Sequence, residues 1–280
     1  MIQAGEYIEM KVARLVDFGL YLDDDKEGIL LPKRFAPANA KPGDTIKIFL
    51  YHDSEDRLIA TTQDPFGVVG DIVKLSCISV TKQGAFLDWG LMKDIFVPVS
   101  QQIAGMRVKG DYLVKIYRDE QTGRVAASER FENELSNYSL TVKELEEVDL
   151  IVLRRTDIGY LMIINNKHTG VLHFNEIYRQ IGVGDKFRGF IKKISPDSKT
   201  GGSLIDVAAG KPGYQRVEDE SSKILRLLEE NGGYLPYYDK SDPEDIYAYF
   251  GMSKKTFKMV TGNLYKQKKI TLEKTGIKLV

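Results

Sequence analysis

The sequence is poor in the residues that form disulfides and metal sites. It contains a single cysteine, Cys77, so no disulfide can close within the chain. The only histidines are His52, His168 and His173, and none has a carboxylate or thiolate at metal-ligand spacing. Cys77 lies in the alternating apolar stretch KLSCISV, which favours a buried, inert thiol over a nucleophile. We therefore expect a protein without a metal, a cofactor or an internal disulfide.

Long apolar runs and an excess of charge are missing too. No run approaches the ~18 residues of a membrane-spanning helix, and the mean hydropathy is -0.27. The start of the chain, MIQAGEYIEMKVARL, lacks the basic and then apolar order of a signal peptide. The 280 residues include 42% hydrophobic ones and carry no formal net charge. These features predict a soluble, cytoplasmic protein with more than one domain.

Catalytic motifs are also absent. The sequence has no G-x-x-x-x-G-K-[ST] phosphate loop, no H-E-x-x-H zinc motif and no G-x-S-x-G nucleophile motif. Gly182-Val183-Gly184 precedes a predicted strand rather than a helix, so it is a weak phosphate-binding signal. The acids are spread over turns, where solvated charge is the usual explanation. The sequence therefore predicts a protein that is not an enzyme.

The stretch FGLYLDDDKEG raises the question of a calcium site. Asp23, Asp25, Glu27 and Gly28 mimic the start of a calcium loop of the form D-x-D-x-D-G. Such a loop requires a bidentate Glu at its twelfth position, where this sequence has Arg34. Because a cation there would repel calcium, we interpret the acids as a solvated turn between two strands.

Three segments of the chain resemble one another. They are VARLVDFGLYLDDDKEGILLP, LSCISVTKQGAFLDWGLMKDIFVP and LIVLRRTDIGYLMIINNKHTGVLH, with anchor glycines Gly19, Gly84 and Gly159. A Gly-Asp pair follows each segment and opens an alternating strand, at Gly43-Asp44, Gly110-Asp111 and Gly184-Asp185. A polar hairpin and a closing strand complete each unit. Five short strands in about sixty residues predict a small β-barrel, and the unit is too long for a solenoid repeat.

The C-terminal part changes from the period of a strand to that of a helix after Lys211-Pro212-Gly213. EDESSKILRLLEENGG predicts a helix that ends at Gly232-Gly233. SDPEDIYAYFG predicts a second helix with Ser241 as its N-cap, and SKKTFKMVTGNLYKQKK a third that is capped by Ser253. ITLEKTGIKLV predicts two short strands around a turn. This is the element order of a winged helix, in which the third helix normally reads nucleic acid.

The predicted fold is multidomain and mostly β, with three tandem five-stranded barrels followed by a small α+β winged helix. The stretch ERFENELSNYSLTVKELEEVD contains seven acids and two basic residues, which predicts an acidic linker with a helical turn at KELEEV. The predicted domains are residues 1–64, 65–128 and 148–211 for the barrels, 129–147 for the linker and 214–280 for the winged helix.

The repeats resemble a known domain. The pattern FG-x-[FY]-[VL], then E-G-hydrophobic, Gly-Asp and a closing R-[LV] strand resembles the S1 domain, the oligonucleotide-binding (OB) barrel repeated in ribosomal protein S1. The resemblance covers residues 1–62, 68–128 and 148–209. Three such barrels before a winged helix resemble the conserved virulence factor B family of bacterial RNA-binding regulators over essentially the whole chain.

This resemblance implies an RNA-binding face on each barrel. In S1 domains the face consists of two aromatics flanking the glycine, a histidine on the next strand, and an Asp and an Arg late in the barrel. The first barrel has Phe18, Tyr21, Asp53 and Arg57 there, with Pro32 in place of the histidine. In the second barrel Phe86, Asp119 and Arg124 match, whereas Gln83 and Pro98 differ. In the third barrel His173 matches, whereas Ile158 and Leu161 replace the aromatics.

The two aromatics of the first barrel pose a geometric question. Exposed rings suit single strands, because every nucleobase has a π-face and a stack is worth roughly 1–3 kcal/mol per base. Phe18 and Tyr21 are three residues apart, so strict alternation would place them on opposite faces of a strand. A bulge or a strong twist at Gly19 would bring both to one surface. The alternative is that one of the two packs into the barrel.

Charge is segregated along the chain. The net charge is -4 over residues 1–64, +2 over 65–128, -5 over 129–149, +6 over 150–216, +1 over 217–280 and +7 within 250–280. We therefore expect phosphate attraction on the third barrel and the winged helix. The candidate phosphate-binding residues are Arg154, Arg155, Lys186, Arg188, Lys192, Lys193, Lys254, Lys255, Lys258, Lys266, Lys268, Lys269 and Lys274, with Tyr265 or His173 as stacking partners. The alternative is that these lysines are merely solvated.

The leading interpretation is a non-enzymatic bacterial protein that binds RNA, preferentially single-stranded, and regulates gene expression after transcription. A second interpretation is a DNA-binding transcription regulator that uses the winged helix. A third is a scaffold whose barrels bind protein. The sequence names neither a target RNA nor a protein partner.

Overall fold

The computed structural model describes residues 2–177, 180–210 and 214–280, the side chains of residues 214–219 excepted. The described chain forms three closed five-stranded barrels and a C-terminal winged helix, so the predicted fold class is confirmed. The chain divides between Leu135 and Ser136 into two compact units. The first unit holds two barrels, and the second holds the third barrel and the winged helix. The Lys211-Pro212-Gly213 connection lies outside the described residues.

The first barrel forms because apolar and polar residues alternate along short strands. Its strands are β1 (Tyr7–Val16), β2 (Gly19–Leu22), β3 (Ile29–Pro32), β4 (Thr45–His52) and β5 (Leu58–Thr61). They close in the order β1-β2-β3-β5-β4, with β3 and β5 parallel. Leu22, Leu31 and Ile48 point inward and are fully buried. Their neighbours along each strand point outward, which leaves one face of the sheet available for binding.

The second barrel repeats this plan, and its core includes a few residues of the first barrel. Its strands are β6 (Ile72–Val80), β7 (Gly84–Leu87), β8 (Ile95–Pro98), β9 (Asp111–Arg118) and β10 (Val125–Ser128). Phe49 of β4 belongs to the same buried cluster as Trp89. The two rings meet edge to face with centroids 5.5 Å apart, and Trp89 Nε1 donates to the Gly67 carbonyl at 2.9 Å. Burial of this aromatic surface joins the two barrels into one unit.

The third barrel has the same strand order as the first two. Its strands are β11 (Glu147–Arg155), β12 (Gly159–Ile164), β13 (His168–His173), β14 (Lys186–Pro196) and β15 (Ser203–Ala208). The helical turn predicted at KELEEV is wrong, because β11 already begins at Glu147. Val142 and Val148 are both buried in the core of this barrel, and the chain between them makes a turn at Glu144 and Leu145 rather than a helix. The acidic linker instead contains a short 3-10 turn at Glu132–Glu134.

The winged helix follows the predicted order with one additional strand. Its elements are α1 (Tyr214–Glu230), β16 (Tyr234–Leu235), α2 (Pro243–Phe250), α3 (Lys254–Lys266), β17 (Ile270–Leu272) and β18 (Ile277–Leu279). The two-residue β16 pairs with β18 and is too short to show a sequence period. Phe250, Phe257 and Leu264 are buried in the core between the helices and the sheet. None of the helices in the described residues is long and apolar enough to cross a membrane.

The helix caps correct one sequence prediction and confirm another. The N-cap of α2 is Asp242, whose Oδ1 accepts a hydrogen bond from the backbone N–H of Glu244 at 2.8 Å. Ser241 lies one residue too early and stabilises the preceding turn instead. Ser253 caps α3 as predicted, since its Oγ accepts from the backbone N–H of Thr256 at 3.1 Å. These caps fix where the exposed face of α3 begins.

The three anchor glycines mark the closest approach of two strands in each barrel. A Cβ at Gly19, Gly84 or Gly159 would overlap the carbonyl oxygen of Leu31, Val97 or Leu172, respectively, on the adjacent strand. Each glycine pairs with the last residue of that strand, Pro32, Pro98 or His173. Glycine is therefore required by space rather than by turn geometry, and this contact positions the side chains on either side.

We expect Gly84→Ala to destabilise the first unit by about 1–3 kcal/mol, because the added methyl group forces β7 away from β8. Gly105→Ala is the matched control, since a Cβ at Gly105 meets no atom within 4 Å and the residue has no left-handed backbone. The control should change stability by less than about 1 kcal/mol. Urea unfolding of the two variants measures the difference. Equal midpoints would contradict the close-approach explanation.

Candidate nucleic-acid interface

The first barrel presents two aromatic rings and a guanidinium group on its outer surface. Phe18 is 58% exposed, and Tyr21 is half-buried. Their rings meet edge to face with centroids 6.3 Å apart. The Arg14 guanidinium carbon lies over the Tyr21 ring, 4.3 Å from its centroid. Neither aromatic belongs to the barrel core, so the alternative in which one of them packs inside is wrong.

A bulge in β1, rather than a distortion at Gly19, creates this surface. The register of β1 against β2 shifts between Val12 and Arg14, and Arg14 then pairs with Tyr21. Phe18 lies in the turn before β2 and needs no bulge to face outward. The predicted position of the bulge is therefore wrong. Equivalent shifts occur between Cys77 and Ser79 and between Val152 and Arg154, so the bulge is part of the repeated plan.

A groove of about 500 Å³ runs along this surface of the first barrel. Its cationic lining consists of Arg14, Lys26 and Arg57, with Tyr21 as the aromatic member. The sequence prediction included Tyr21 and Arg57 but missed Arg14, because only the bulge reveals that Arg14 and Tyr21 are neighbours. Stacking on an aromatic ring together with cations for phosphates is the combination that suits a nucleic-acid strand.

The Asp of the S1 pattern has a structural role in all three barrels. It caps the hairpin between the fourth and fifth strands, where Asp53, Asp119 and Asp197 accept hydrogen bonds from backbone N–H groups through Oδ1. The N–H groups of Thr122 and Gln121 hold the pKa of the Asp119 carboxyl below its ordinary value. Asp197 fills this position in the third barrel, a match that the sequence comparison missed. A negative charge at these sites therefore stabilises a turn.

The two late arginines occupy equivalent positions but have different partners. The backbone N–H of the hairpin Asp donates to the carbonyl of Arg57 in the first barrel and of Arg124 in the second. Arg57 binds Asp53 through Nε at 2.9 Å and Nη2 at 2.7 Å. Arg124 instead forms an ion pair with Asp56, which belongs to the hairpin of the first barrel. This hairpin, residues 53–57, therefore contacts the outer surface of the second barrel.

The surface of the second barrel is aromatic and partly covered. Phe86 and Phe96 are half-buried, with ring centroids 5.0 Å apart. Gln83, where the S1 pattern has its first aromatic, is exposed. Lys93 Nζ donates to the carbonyl of Asp53 at 2.7 Å, which is a second link to the hairpin of the first barrel. The second barrel thus offers a walled pocket where the first offers an open groove.

The third barrel keeps the histidine of the pattern without the aromatics. His173 Nε2 lies 3.1 Å from Oδ1 of Asp206 on β15. Ile158 is 58% exposed, and Leu161 is half-buried. Phe174, directly after His173, is 38% exposed and lies under the Arg155 guanidinium at 5.1 Å, a contact that the sequence did not predict. His168 is 3% exposed and therefore belongs to the core.

The predicted phosphate-binding residues of the third barrel differ in their surroundings. Arg188 lies 3.2 Å from Glu147 and 3.3 Å from Asp149, and Lys192 lies 2.7 Å from Glu176. These carboxylates offset part of the attraction that the two cations would exert on a phosphate. The other predicted side chains of this barrel are exposed: Arg154, Arg155, Lys186 and Lys193.

Helix α3 has a basic outer face. Lys255, Lys258 and Lys266 are exposed and follow one another at intervals that place them on the same side of the helix. Lys258 lies 3.8 Å from Asp239, and Lys254 is half-buried. The remaining predicted residues of this domain are exposed in α3, in the turn after it or at the wing: Tyr265, Lys268, Lys269 and Lys274.

The residues that could suggest other chemistry are explained by the fold. Cys77 is 1% exposed, and burial raises the pKa of its thiol, which disfavours the nucleophilic thiolate. In the calcium-like turn, Asp24 Oδ1 accepts hydrogen bonds from the backbone of Lys26 and Gly28. No group of three or more metal-binding side chains occurs among the residues that the structure describes.

Comparisons with known proteins agree with this architecture. Residues 4–63 match the S1 domain family, and residues 222–279 match the CvfB-like winged helix domain family. The YitL protein of Bacillus subtilis is 27% identical over 279 residues, covering 97% of this chain and 92% of the relative. Conserved virulence factor B of Staphylococcus epidermidis is 28% identical over 249 residues, covering 85% of this chain and 80% of the relative.

The chain is similar in sequence to conserved virulence factor B over most of its length. The resemblance predicted from the sequence is thereby confirmed. A solved structure from Streptococcus pneumoniae, described as a multidomain protein with nucleic acid binding domains, covers 99% of this chain and 98% of its own. Its sequence is 23% identical, with a TM-score of 0.41. The S1 domain and the winged helix of conserved virulence factor B type are nucleic-acid-binding families rather than enzyme families.

The first unit should contain a histidine, His52, whose pKa lies below its ordinary value. Burial, and then the positive charges of Lys93 and Arg124, lower the pKa of His52 from its ordinary 6.5, although Asp53 acts in the opposite direction. Nuclear magnetic resonance titration of the ring protons, assigned with a His52→Phe variant, measures this value. Arg124→Gln should move the pKa back toward 6.5, because it removes one of the two cations.

The sign of the accompanying stability change follows from linkage. The unfolded chain takes up a proton at His52 more readily than the folded chain, so protonation favours unfolding. We expect the contribution to be absent above about pH 6.5 and to destabilise the first unit progressively as the pH falls below that value. A His52 signal that titrates above 6.5 would contradict the burial and charge that we describe around this ring.

Proposed function

We propose that this chain is a non-enzymatic RNA-binding protein that binds single-stranded RNA in the bacterial cytoplasm and regulates gene expression after transcription. The observation that carries the proposal is the surface formed by Phe18, Tyr21 and Arg14 on the first barrel. An exposed ring beside a ring covered by a guanidinium offers π-faces to unpaired bases. A duplex hides those faces in its own stack, so this surface favours a single strand. The name conserved virulence factor B, given to relatives, supports the regulatory role.

The greater part of the affinity is assigned to the second unit. Residues 150–216 carry a net charge of +6, and residues 250–280 carry +7. Phosphate contacts supply most of the sequence-independent affinity for nucleic acids, and exposed lysines on α3 and the wing are suited to this role. Lys255, Lys258 and Lys266 share one face of α3. This arrangement supports a row of phosphate contacts along the winged helix.

Duplex DNA is the second candidate ligand. It is favoured by one observation, the basic outer face of α3, because the third helix of a winged helix is the element that normally enters a major groove. In that case the same lysines would bind the backbone of a duplex, and Phe18 and Tyr21 would have no effect on affinity. A protein-binding scaffold, the third interpretation, would bind neither nucleic acid.

Replacing the aromatic residues tests the single-strand proposal. We expect Phe18→Ala and Tyr21→Ala each to weaken binding of a single-stranded RNA 12-mer by about 1–3 kcal/mol, because each variant removes a stack. Phe66→Ala is the matched control, since Phe66 is 60% exposed and Phe18 is 58% exposed in the same unit. Fluorescence anisotropy measures affinity, and thermal unfolding checks the fold.

Unchanged RNA affinity in folded Phe18→Ala and Tyr21→Ala proteins would refute the proposal that this surface binds RNA. An equal loss in the Phe66→Ala control would show that the effect is not specific to the proposed platform. A sharp fall in melting temperature for Tyr21→Ala alone would contradict the outward position that we describe for this ring.

Dividing the chain tests where the affinity resides. The division belongs between Leu135 and Ser136, because the residues that follow pack on the third barrel, and Val142 lies in its core. We expect residues 136–280 to retain most of the affinity of the whole chain for the same RNA. Isothermal titration of both halves measures this. Binding by residues 1–135 that is as tight as that of the whole chain would contradict the assignment.

Salt dependence tests whether phosphates are the contacts. Replacing Lys255, Lys258 and Lys266 together with glutamine should reduce the slope of log K against log salt by about 2, since each neutralised phosphate of a single strand contributes about 0.7. A double replacement of Arg188 and Lys192 is the comparison, because carboxylates already face both cations. It should change the slope less. Identical slopes in the triple variant and the unmodified protein would show that these lysines of α3 do not contact phosphates.

A further inference from the structure

Three side chains, Arg155, Phe174 and Tyr160, contact one another in series at one end of the third barrel. The Arg155 guanidinium carbon lies over the Phe174 ring, 5.1 Å from its centroid. The Phe174 ring meets the Tyr160 ring edge to face, with centroids 5.7 Å apart. Tyr160 is half-buried and packs against the barrel core, Phe174 is 38% exposed, and Arg155 is exposed. The charged group is therefore the outermost member, and two rings connect it to the barrel.

This group lies at the end of the barrel and not on the surface of the S1 pattern. Arg155 pairs with Tyr160, and Tyr160 pairs with Leu172, whose side chain is fully buried. Paired residues of adjacent strands project to the same side of a sheet, so this row belongs to the inner side and Arg155 to its exposed end. Leu161 and His173, which occupy S1 positions, lie in the neighbouring rows and project to the outer side.

Barrel closure does not require a cation at the position of Arg155. In the first two barrels the equivalent residues are aliphatic, Leu15 and Val80. Each of them pairs with the residue that follows the anchor glycine, as Arg155 does. Both barrels nevertheless close in the same strand order as the third. An exposed arginine with an aromatic support is therefore an addition of the third barrel to the shared plan, and its role lies outside barrel closure.

The surroundings of Arg155 favour an anionic ligand. Among the residues that the structure describes, no carboxylate forms an ion pair with Arg155, whereas Arg188 and Lys192 of the same barrel both have carboxylate partners. The five N–H donors of a guanidinium form a planar fork that matches two oxygens of a phosphate. Contact with an aromatic ring restricts the rotamers of the arginine in advance, so less freedom is lost when the anion binds. The net charge of +6 over residues 150–216 adds a long-range attraction.

We propose that Arg155 binds a phosphate at the end of the third barrel and that Phe174 and Tyr160 are positioning residues for its guanidinium. The inference rests on the proposed function and deepens it, because a backbone phosphate of a bound RNA is one source of this anion. A free phosphate ion has the same chemistry and is the other source. The aromatic residues at this end of the barrel thus hold a cation in place rather than stack on a base.

A double-variant cycle in the full-length chain separates positioning from direct stacking. Arg155→Gln removes the proposed phosphate contact, Phe174→Leu removes the ring and keeps every charge, and a third protein carries both changes. Phe174→Tyr keeps the ring. Tyr138→Leu is the matched control, because Tyr138 is 73% exposed in the same unit and no described cation lies over its ring. Anisotropy of a single-stranded RNA 12-mer at several salt concentrations measures affinity, and thermal unfolding checks the fold.

We expect Arg155→Gln to reduce the slope of log K against log salt by about 0.7, the contribution of one phosphate of a single strand. Phe174→Leu should weaken RNA binding by about two- to fivefold, the effect of losing one exposed cation–π contact, although no charge has changed. In the Arg155→Gln protein, Phe174→Leu should have no further effect, because the ring acts only through the guanidinium. Phe174→Tyr and Tyr138→Leu should bind RNA like the unmodified chain.

Inorganic phosphate distinguishes the two sources of the anion. Its binding is read by nuclear magnetic resonance at the Arg155 Nε–H signal, which is assigned with Arg155→Gln. Phe174→Leu should weaken this binding as well. Binding of inorganic phosphate at Arg155, with unchanged RNA affinity in both variants, would support the site and would identify a free phosphate ion as its occupant. If Phe174→Leu does not fold, Arg155→Lys replaces it in both assays, since it keeps the charge and loses the planar fork.

Additive losses of RNA affinity from Arg155→Gln and Phe174→Leu would overturn the positioning role and would make Phe174 a stacking residue. Unchanged affinity of both variants for RNA, together with no response of Arg155 to inorganic phosphate, would overturn the site itself. The proposed function would survive that result if Phe18→Ala still weakened RNA binding. Absence of RNA binding by the unmodified chain would instead refute the proposed function, and the phosphate titration would then decide the site independently.

Discussion

The close approach of two strands at an anchor glycine is the constraint on which each barrel depends. At Gly19, Gly84 and Gly159 the carbonyl of the adjacent strand occupies the space of a Cβ. This contact holds the second strand against the third, and the bulge in the first strand then shifts one side chain toward the outer surface. Arg14 contacts Tyr21 because the glycine contact and the bulge act together. The outward position of these side chains therefore follows from backbone geometry.

The same scaffold supports three different surfaces. The first barrel has an open groove with exposed Phe18, and the second has aromatic rings under the hairpin of its neighbour. The third has His173 beside Asp206 and keeps neither aromatic. The proposed function therefore assigns stacking to the first unit and phosphate attraction to the second. This division accounts for a chain with no net charge that still has a strongly basic C-terminal segment.

Local patterns predicted most of the fold, and contacts between distant residues account for what was missed. Alternation and glycine spacing predict each barrel, since both are set by neighbours in sequence. The position of Arg14 beside Tyr21 depends on a bulge, and a shift of one residue moves a side chain to the other face. The ion pair between Arg124 and Asp56 joins two barrels. No periodic pattern in the sequence can therefore predict it. Arg188 is likewise brought to Glu147 and Asp149 only by the pairing of β14 with β11.

The central claim is that the chain prefers single-stranded RNA. The most direct measurement is a titration of the full chain with single-stranded RNA, single-stranded DNA and duplex DNA of one sequence at two salt concentrations. The account predicts tightest binding to single-stranded RNA at both concentrations, and weaker binding of every ligand at the higher one. Tightest binding to the duplex would contradict the account and would assign recognition to the winged helix.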